Sequence, residues 1–297
     1  MTPRSPQSAG AVRGVPGDDE LALSGKAIEV ADRVRPVLPR FRPSAETLFM
    51  FISPLLLLLL WEVAARSGWM DTRIFSSPSG VARLAWGMLL DGSLLAHFEA
   101  TMVRFVVGTV AGLVPGLALG LTMGLFRWPR IVLNPLVAAI YPLPRIAIFP
   151  LVLLVVGLNE TSNVIMIALQ PFFYMLIGSM AAVQGIEPIY LRVARSYGST
   201  TRDVYRLIVL PAAMPIILSS LRISIGGALL VTVTVESLVC QNGIGYLIWH
   251  SWQTLSLEQA MVGLVVAGLV GFALIQLLDR LETKLVPWSQ TANRRPV

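Results

Sequence analysis

One apolar stretch, TMVRFVVGTVAGLVPGLALGLTMGL at residues 101–125, decides what kind of fold this chain adopts. It is 25 residues long and its only charged residue is Arg104. A helix needs about 20 apolar residues to cross the ~30 Å hydrocarbon core of a bilayer. The stretch therefore predicts a membrane-spanning helix rather than a segment of a soluble domain.

Glycine recurs at every fourth position of this stretch, which places five glycines on one face of the predicted helix. They are Gly108, Gly112, Gly116, Gly120 and Gly124. Small residues at this spacing let two helix backbones approach closely in a membrane. We expect this face to pack against another helix of the same subunit, with a surface that slides during gating as the alternative.

The composition of the whole chain extends this prediction. Of its 297 residues 55% are hydrophobic and 13% are charged, about half the charged share of a soluble domain, and the mean hydropathy is +0.71. Six stretches are long enough to span: 47–65, 101–125, 131–158, 162–183, 214–239 and 257–278. The sequence thus predicts an all-α integral membrane protein with six transmembrane helices.

The basic residues indicate the orientation. They cluster before the first span, between spans two and three, between spans four and five, and after the last span; examples are Arg40, Arg127, Arg130, Arg202, Arg206, Arg280 and Lys284. Cytoplasmic loops of membrane proteins carry such an excess. This alternation predicts that both termini are cytoplasmic, and it explains the net charge of +6 without nucleic acid as a partner.

Four regions follow from these patterns. Residues 1–43 are predicted to be a disordered cytoplasmic tail, and 44–92 to hold the first span and an external amphipathic helix. Residues 93–283 form a five-helix transmembrane core, and 284–297 a cytoplasmic tail. Ser77 and Pro78 suit the start of the external helix, and its apolar stripe favours the membrane interface; the stripe comprises Val81, Leu84, Ala85, Met88 and Leu89.

The long loop at 187–211 reads EPIYLRVARSYGSTTRDVYRLIVLP. Pro188 favours a helix start, Gly198 a left-handed stop, and Thr200 the cap of a second helix running to Leu210. Ile189 and the residues four and eight positions later form an apolar face. Two hypotheses remain open for this face: packing on the chain's own cytoplasmic helix ends, or docking into the groove of a partner protein.

This loop resembles a motif of the membrane subunits of binding-protein-dependent ABC importers: E-A-A, three residues, G, nine residues, I-x-L-P. The matching segments here are Arg192-Val193-Ala194, Gly198 and Ile208-Val209-Leu210-Pro211, with Arg192 in place of the family's Glu. Residues 76–79, 142–153 and 242–248 extend the resemblance, which is closest to the nitrate, sulfonate and taurine branch.

The resemblance implies a type I ABC importer permease fold with a cytoplasmic coupling helix, in the inner membrane. It implies a second permease subunit, two cytoplasmic ATPase subunits and a periplasmic or lipid-anchored binding protein. The residues implied to couple to the ATPase are Arg192, Val193, Ala194, Gly198, Asp203, Ile208, Leu210 and Pro211.

The sequence contains no G-x-x-x-x-G-K-[ST] phosphate loop. We therefore expect ATP and Mg to be bound by a partner chain, and this chain to bind no cofactor and to be a transport subunit rather than an enzyme. The expected function is alternating-access import of a small anion such as a sulfonate, nitrate or carboxylate. A secondary transporter or channel that is not coupled to ATP is the alternative.

Ionisable residues inside spans are functional candidates by default. Arg145 follows two prolines that interrupt the third predicted span, as at transporter binding regions. It either pairs with a carboxylate or a backbone carbonyl, or lines a pathway for anions. Glu236 is its expected partner and the other candidate for the pathway. Arg104 and Arg222 are expected to be structural. His97, His250 and Cys240 are isolated in the sequence and indicate neither a catalytic nor a metal site.

Overall fold

The computed structural model describes residues 43–69 and 76–288, and every regular element among them is helical. In chain order the helices are α1 Pro43–Arg66, α2 Pro78–Leu90, α3 Ser93–Leu125, α4 Arg127–Ile140, α5 Arg145–Val156, α6 Glu160–Gln184, α7 Pro188–Ser196, α8 Thr201–Val204, α9 Leu210–Val239, α10 Ile244–Gln253 and α11 Leu257–Leu285. The predicted N-terminal tail lies outside the described residues, apart from Pro43 at the start of α1.

Four helical segments in the described part are long and apolar enough to cross a membrane: α3, α6, α8–α9 and α11. The α4–α5 pair passes the same test as one segment, bent by 100°. These segments confirm the all-helical membrane character and match the predicted spans two to six. The first predicted span lies within α1, and the count of six stays a prediction.

The glycine face of α3 lies directly on α6, and the two helices run in the same direction. Near the middle of α3, Gly108 faces Ile167, and near its end Gly124 faces Val183. A methyl group at any of the five glycines would overlap atoms of α6. The absence of side chains thus sets the distance between these two helix backbones.

This parallel packing decides the path of the intervening chain. We call the end of the bundle where α3 and α6 finish the loop end, because residues 187–211 follow it, and the opposite end the far end. The chain leaves α3 at the loop end and enters α6 at the far end, so α4 and α5 together must cross the bundle. The third predicted span is therefore a crossing broken at residues 141–144, where Pro142 and Pro144 interrupt the helix.

Helix α9 returns antiparallel to α6. Gly178 lies against Ser220, and closer to the far end Gln170 lies against Gly227. The second loop helix predicted to end at Leu210 is wrong as a separate element, because α8 continues into α9 as one helical segment, Thr201–Val239. A π-helical turn, Tyr205–Val209, joins them, and such a wider turn offers room for Pro211, which lacks a backbone donor.

Two helices pack together beside the far end. The predicted external helix is α2, capped by the Ser77 hydroxyl, and it buries Val81 and Met88 against Leu247 and Val262. Leu247 belongs to α10, a helix between the fifth and sixth predicted spans that the sequence did not predict. The short helix carries apolar residues without the length of a span, so hydropathy alone does not reveal it.

The glycine contact generates a matched pair of substitutions. Gly112→Ala places a methyl group on the carbonyl of Ala168, whereas Gly268→Ala in α11 meets nothing within 4 Å. Overpacking costs about 1–3 kcal/mol, while alanine in an open helix position is favoured by up to about 1 kcal/mol. We expect Gly112→Ala to lower the thermal midpoint of the detergent-solubilised protein and Gly268→Ala to leave it equal or higher. Equal midpoints for both variants would contradict the packing assignment.

Candidate functional site

The 187–211 loop forms a compact helical element at the loop end. Helix α7 stops at Gly198, which has a φ of +71°, and the Ser199 amide closes the turn by donating to the Ala194 carbonyl at 3.1 Å. Thr200 and Asp203 then cap each other, with the Thr200 amide donating to the Asp203 carboxylate at 3.2 Å. These bonds satisfy backbone groups at both helix ends, so the element keeps a defined shape.

One side of this element contacts the bundle and the other does not. Ala194 is buried, and Leu191 lines a cavity of about 320 Å³ between the loop and the ends of α3 and α6. The predicted apolar face points away, with Ile189 46%, Val193 47% and Tyr197 85% exposed. Packing of this face on the chain's own helix ends is therefore wrong, and in the described chain the face has no cover.

The remaining residues of the predicted motif lie along the same element. Arg192, Asp203 and Leu210 are exposed, and Ile208 is half-buried. Pro211 lies at the start of α9, where its carbonyl accepts from the Trp288 indole at 3.2 Å. The segment that follows the C-terminus of α11 is thereby tied to the base of the loop.

A second polar site lies at the far end, inside the bundle. Arg104 uses all five guanidinium hydrogens, donating to Glu160 at 2.6 and 2.8 Å, to Glu236 at 3.0 Å, and to Asn242 at its carbonyl and side chain. We call the connected set the Arg104 network: His97, Thr101, Arg104, Glu160, Glu236 and Asn242. It joins α3, α6 and α9 to the turn before α10.

The turn at 240–243 and the start of α10 fit onto this network through backbone groups. The Gly245 amide and the Thr101 hydroxyl donate to the Glu236 carboxylate at 3.0 and 2.8 Å, and the Gly243 amide donates to His97 Nδ1 at 3.1 Å. Gly243 has a φ of +112°, and a Cβ there would overlap the Glu236 carboxylate. A carboxylate at a helix N-terminus is favoured by the free amides and the helix dipole.

The expected pair of Arg145 and Glu236 is wrong. Glu236 is fully buried and bonded to Arg104, so it faces no open surface in this structure. Arg104 is itself buried, and two carboxylates bind it: Glu236, which is buried, and Glu160, which is exposed. Sequence reasoning missed this pairing because 132 positions separate Arg104 from Glu236, and hydropathy does not reveal contacts between helices.

Arg145 instead lies at the break between α4 and α5. Its guanidinium stands 5.7 Å from the centre of the Tyr141 ring and 5.5 Å from that of Tyr174. Its Nε is buried without a hydrogen-bond partner. Within residues 43–69 and 76–288, no carboxylate lies within ion-pairing distance of this side chain.

The other membrane arginine is neutralised within the chain. Arg222 on α9 pairs with Asp279 and, at 2.6 Å, with Glu282, both on α11. This contact ties α9 to α11 towards the loop end. Arg104 and Arg222 thus both have structural partners, whereas Arg145 has aromatic neighbours only.

Comparison with known protein families identifies the chain. Residues 112–290 match the family model described as the inner membrane component of binding-protein-dependent transport systems. The chain belongs to this family: it is a membrane-spanning transport subunit. Its relatives place it with the ABC importer permeases of the sulfonate and taurine type.

Three relatives illustrate the relationship. A putative aliphatic sulfonates transport permease protein of Escherichia coli is 32% identical over 79% of this chain and 90% of its own length. The taurine transport system permease protein of the same organism is 29% identical, over 67% and 72%. The riboflavin transport system permease protein of Chloroflexus aurantiacus is 33% identical, over 87% and 96%.

The fold is also found in a solved structure. A chain of the MetNI methionine ABC transporter, solved in inward-facing conformations, matches with a TM-score of 0.50 and 16% identity, over 65% of this chain and 95% of that chain. At this identity the match concerns the fold alone. It agrees with the predicted type I importer permease fold.

The Arg104 network offers two carboxylates on one arginine, with different exposure. The Glu236 side chain is 0% exposed and that of Glu160 is 64% exposed. Removing one partner of a buried ion pair lowers the stability of the folded protein by about 3–5 kcal/mol. The loss is smaller for an exposed carboxylate, because water takes its place. We expect Glu236→Ala to lower the thermal midpoint of the purified protein clearly more than Glu160→Ala. The reverse order would contradict the assignment of Glu236 as the buried partner.

Cys240, just beyond the end of α9, gives a chemical test of the same region. Burial raises the pKa of its thiol to about 11, and only the thiolate reacts with alkylating reagents. At pH 8 iodoacetamide should modify Cys240 about 100-fold more slowly in the folded protein than in dodecyl sulfate, with the folded rate rising as the pH approaches 11. Mass spectrometry of the alkylated chain follows both rates. Equal rates in the two states would show that the thiol is not enclosed.

Proposed function

We propose that this chain is the permease subunit of an ATP-driven importer in a bacterial inner membrane, with both termini and the 187–211 loop in the cytoplasm. The loop then couples the permease to a separate ATPase. The observation that carries this proposal is the uncovered face of Ile189, Val193 and Tyr197 at the loop end. A rigid helix that presents apolar side chains to water fits the groove of a partner protein.

The arginine distribution supports the orientation. Since α3 and α6 run in parallel, the connection after α3, the loop after α6 and the end of α11 all lie at one end of the bundle. These segments carry Arg127, Arg130, Arg192, Arg202, Arg206 and Lys284. Basic residues concentrated at one end mark the cytoplasmic side.

The complex that follows contains two permease subunits, two cytoplasmic ATPase subunits that bind ATP and Mg, and a periplasmic or lipid-anchored binding protein. ATP binding brings the ATPases together and draws the loops around Gly198 towards each other. The pathway then opens outwards and receives substrate from the binding protein. Arg192, in place of the family's Glu, contributes a positive charge to the contact with the ATPase.

For the substrate we propose a small anion of the sulfonate or carboxylate class. Two of the relatives are named for sulfonates or taurine, both of which contain a sulfonate group, and Arg145 supplies a positive charge near the middle of the membrane. The riboflavin permease relative shows that this family also includes proteins named for larger compounds. The binding protein therefore carries most of the selectivity in this proposal.

Gly198 gives the sharpest test of the coupling role. A β-branched residue is strained at φ +71°, whereas asparagine tolerates this conformation, and no neighbour lies within 4 Å to add a steric effect. We expect Gly198→Val to insert normally and lose at least about tenfold of ATP-driven uptake, and Gly198→Asn to keep most of it. The measurement is initial uptake of radiolabelled ethanesulfonate by proteoliposomes that contain the complete complex.

Two outcomes would overturn the proposal. Normal uptake by Gly198→Val would exclude the loop as the coupling element. Wild-type uptake that continues without ATP and follows an ion gradient would instead indicate the secondary-transporter alternative. The amount of each variant in the membrane, measured by immunoblot, separates a coupling defect from a loss of protein.

A further inference from the structure

The break between α4 and α5 places Arg145 about midway between the loop end and the far end of the bundle. Its neighbour Tyr174 lies on α6, 14 residues after Glu160 and 10 residues before Gln184. At about 1.5 Å per residue these intervals correspond to about 21 Å and about 15 Å along the helix. The guanidinium therefore lies close to the depth of the bilayer centre, where an arginine is energetically costly and is a functional candidate by default.

The surroundings leave the arginine electrostatically incomplete. Tyr141 and Tyr174 stand at 81° to each other with ring centres 6.2 Å apart, and both rings lie within cation–π distance of the guanidinium. The rings hold the side chain without neutralising its charge. The buried, unpartnered Nε is a donor that still lacks an acceptor.

The backbone at the break adds donors of the same kind. Pro144 precedes α5 and provides no side-chain cap, and the amides of Arg145 and Ile146, in the first turn of α5, have no partner within the helix. The N-terminus of a half-helix in a membrane favours a negative group. The Arg145 guanidinium and the two amides thus place hydrogen-bond donors for an anion close together, at one depth in the membrane.

We propose that Arg145, Tyr141 and Tyr174 form a mid-membrane binding station for an organic anion, a sulfonate or carboxylate, which this permease passes on during transport. The station rests on the proposed function and adds a residue-level site to it. The anionic group meets the guanidinium and the α5 amides, and the hydrocarbon part lies against the tyrosine rings and the half-exposed Ile146. A single cationic side chain, without a second one opposite it, binds an anion weakly. Weak binding suits a site that must also release its ligand.

Charge-selective labelling tests the station without knowledge of the substrate. In a Cys240→Ser background, which removes the only cysteine, Ile146→Cys places a thiol beside Arg145. The probes are the anionic reagent 2-sulfonatoethyl methanethiosulfonate and its cationic trimethylammonioethyl counterpart, applied to the purified full complex. The rate of each reagent is divided by its rate with free cysteine. We expect this normalised rate to be at least about tenfold higher for the anionic reagent than for the cationic one.

Adding Arg145→Gln should abolish this preference, and Arg145→Lys should preserve part of it. A matched control is Arg83→Gln on α2, an exposed arginine that should leave the preference unchanged. A thiol that is inert to both reagents, or a preference that survives Arg145→Gln, would overturn the station. Neither result depends on the ATPase, so both leave the proposed function intact.

Transport provides the second readout. With ethanesulfonate as the probe, Arg145→Gln should reduce uptake at least about tenfold while ATP hydrolysis and complex assembly stay near wild type. Arg83→Gln, at an exposed position of α2 outside the station, should transport normally. Normal uptake by Arg145→Gln would overturn the station but not the proposed function. Loss of complex assembly in this variant would also overturn the station, because Arg145 would then be a structural residue. Loss of the ATP requirement in the wild type would instead contradict the proposed function.

Discussion

The parallel contact between α3 and α6 determines most of the architecture. Five glycines remove the side chains from one face of α3, so that the α6 backbone lies directly on it. Two parallel helices that are separated by 34 residues in sequence require the intervening chain to cross the bundle once. This requirement identifies α4–α5 as a crossing despite its 100° bend, and it gathers the basic connections at the loop end.

The two ends of the bundle differ in how completely their groups are paired within the described chain. At the far end, the Arg104 network satisfies a buried arginine and a buried glutamate with each other and with backbone amides of the turn before α10. At the loop end, Gly198 and the cap formed by Thr200 and Asp203 hold a helical element that leaves its apolar face uncovered. A closed, satisfied network stabilises one arrangement, whereas an uncovered face requires a partner.

The sequence was sufficient for features that depend on composition and local spacing. Hydropathy located spans two to six within a few residues at most of their ends. Pro188 and Gly198 predicted the limits of α7, and Thr200 predicted the start of α8 but not its continuation into α9. Features that depend on contacts between distant residues were missed. The partner of Glu236 was predicted as Arg145 because both lie in spans, but the depth of each residue follows only from how α3, α6 and α9 pack. The helix α10 was missed because it is short and its N-terminus is set by Glu236, a residue on another helix.

Helix α9 links the two ends. Thr201–Val239 is one helical segment of 39 residues, about 58 Å at 1.5 Å per residue, and it carries Asp203 of the loop near one terminus and Glu236 near the other. Under the proposed coupling, a displacement of the loop would be transmitted along a helix that is fixed to α11 through Arg222 and to the Arg104 network through Glu236. The π-helical turn at Tyr205–Val209 is the irregular place in this segment, and π turns often mark functional positions. Of the three membrane arginines, Arg104 and Arg222 are bonded to carboxylates on the helices that such a movement would shift. Arg145 stands apart at the break, where the described chain offers it no carboxylate, and it is there that we propose the anion binds.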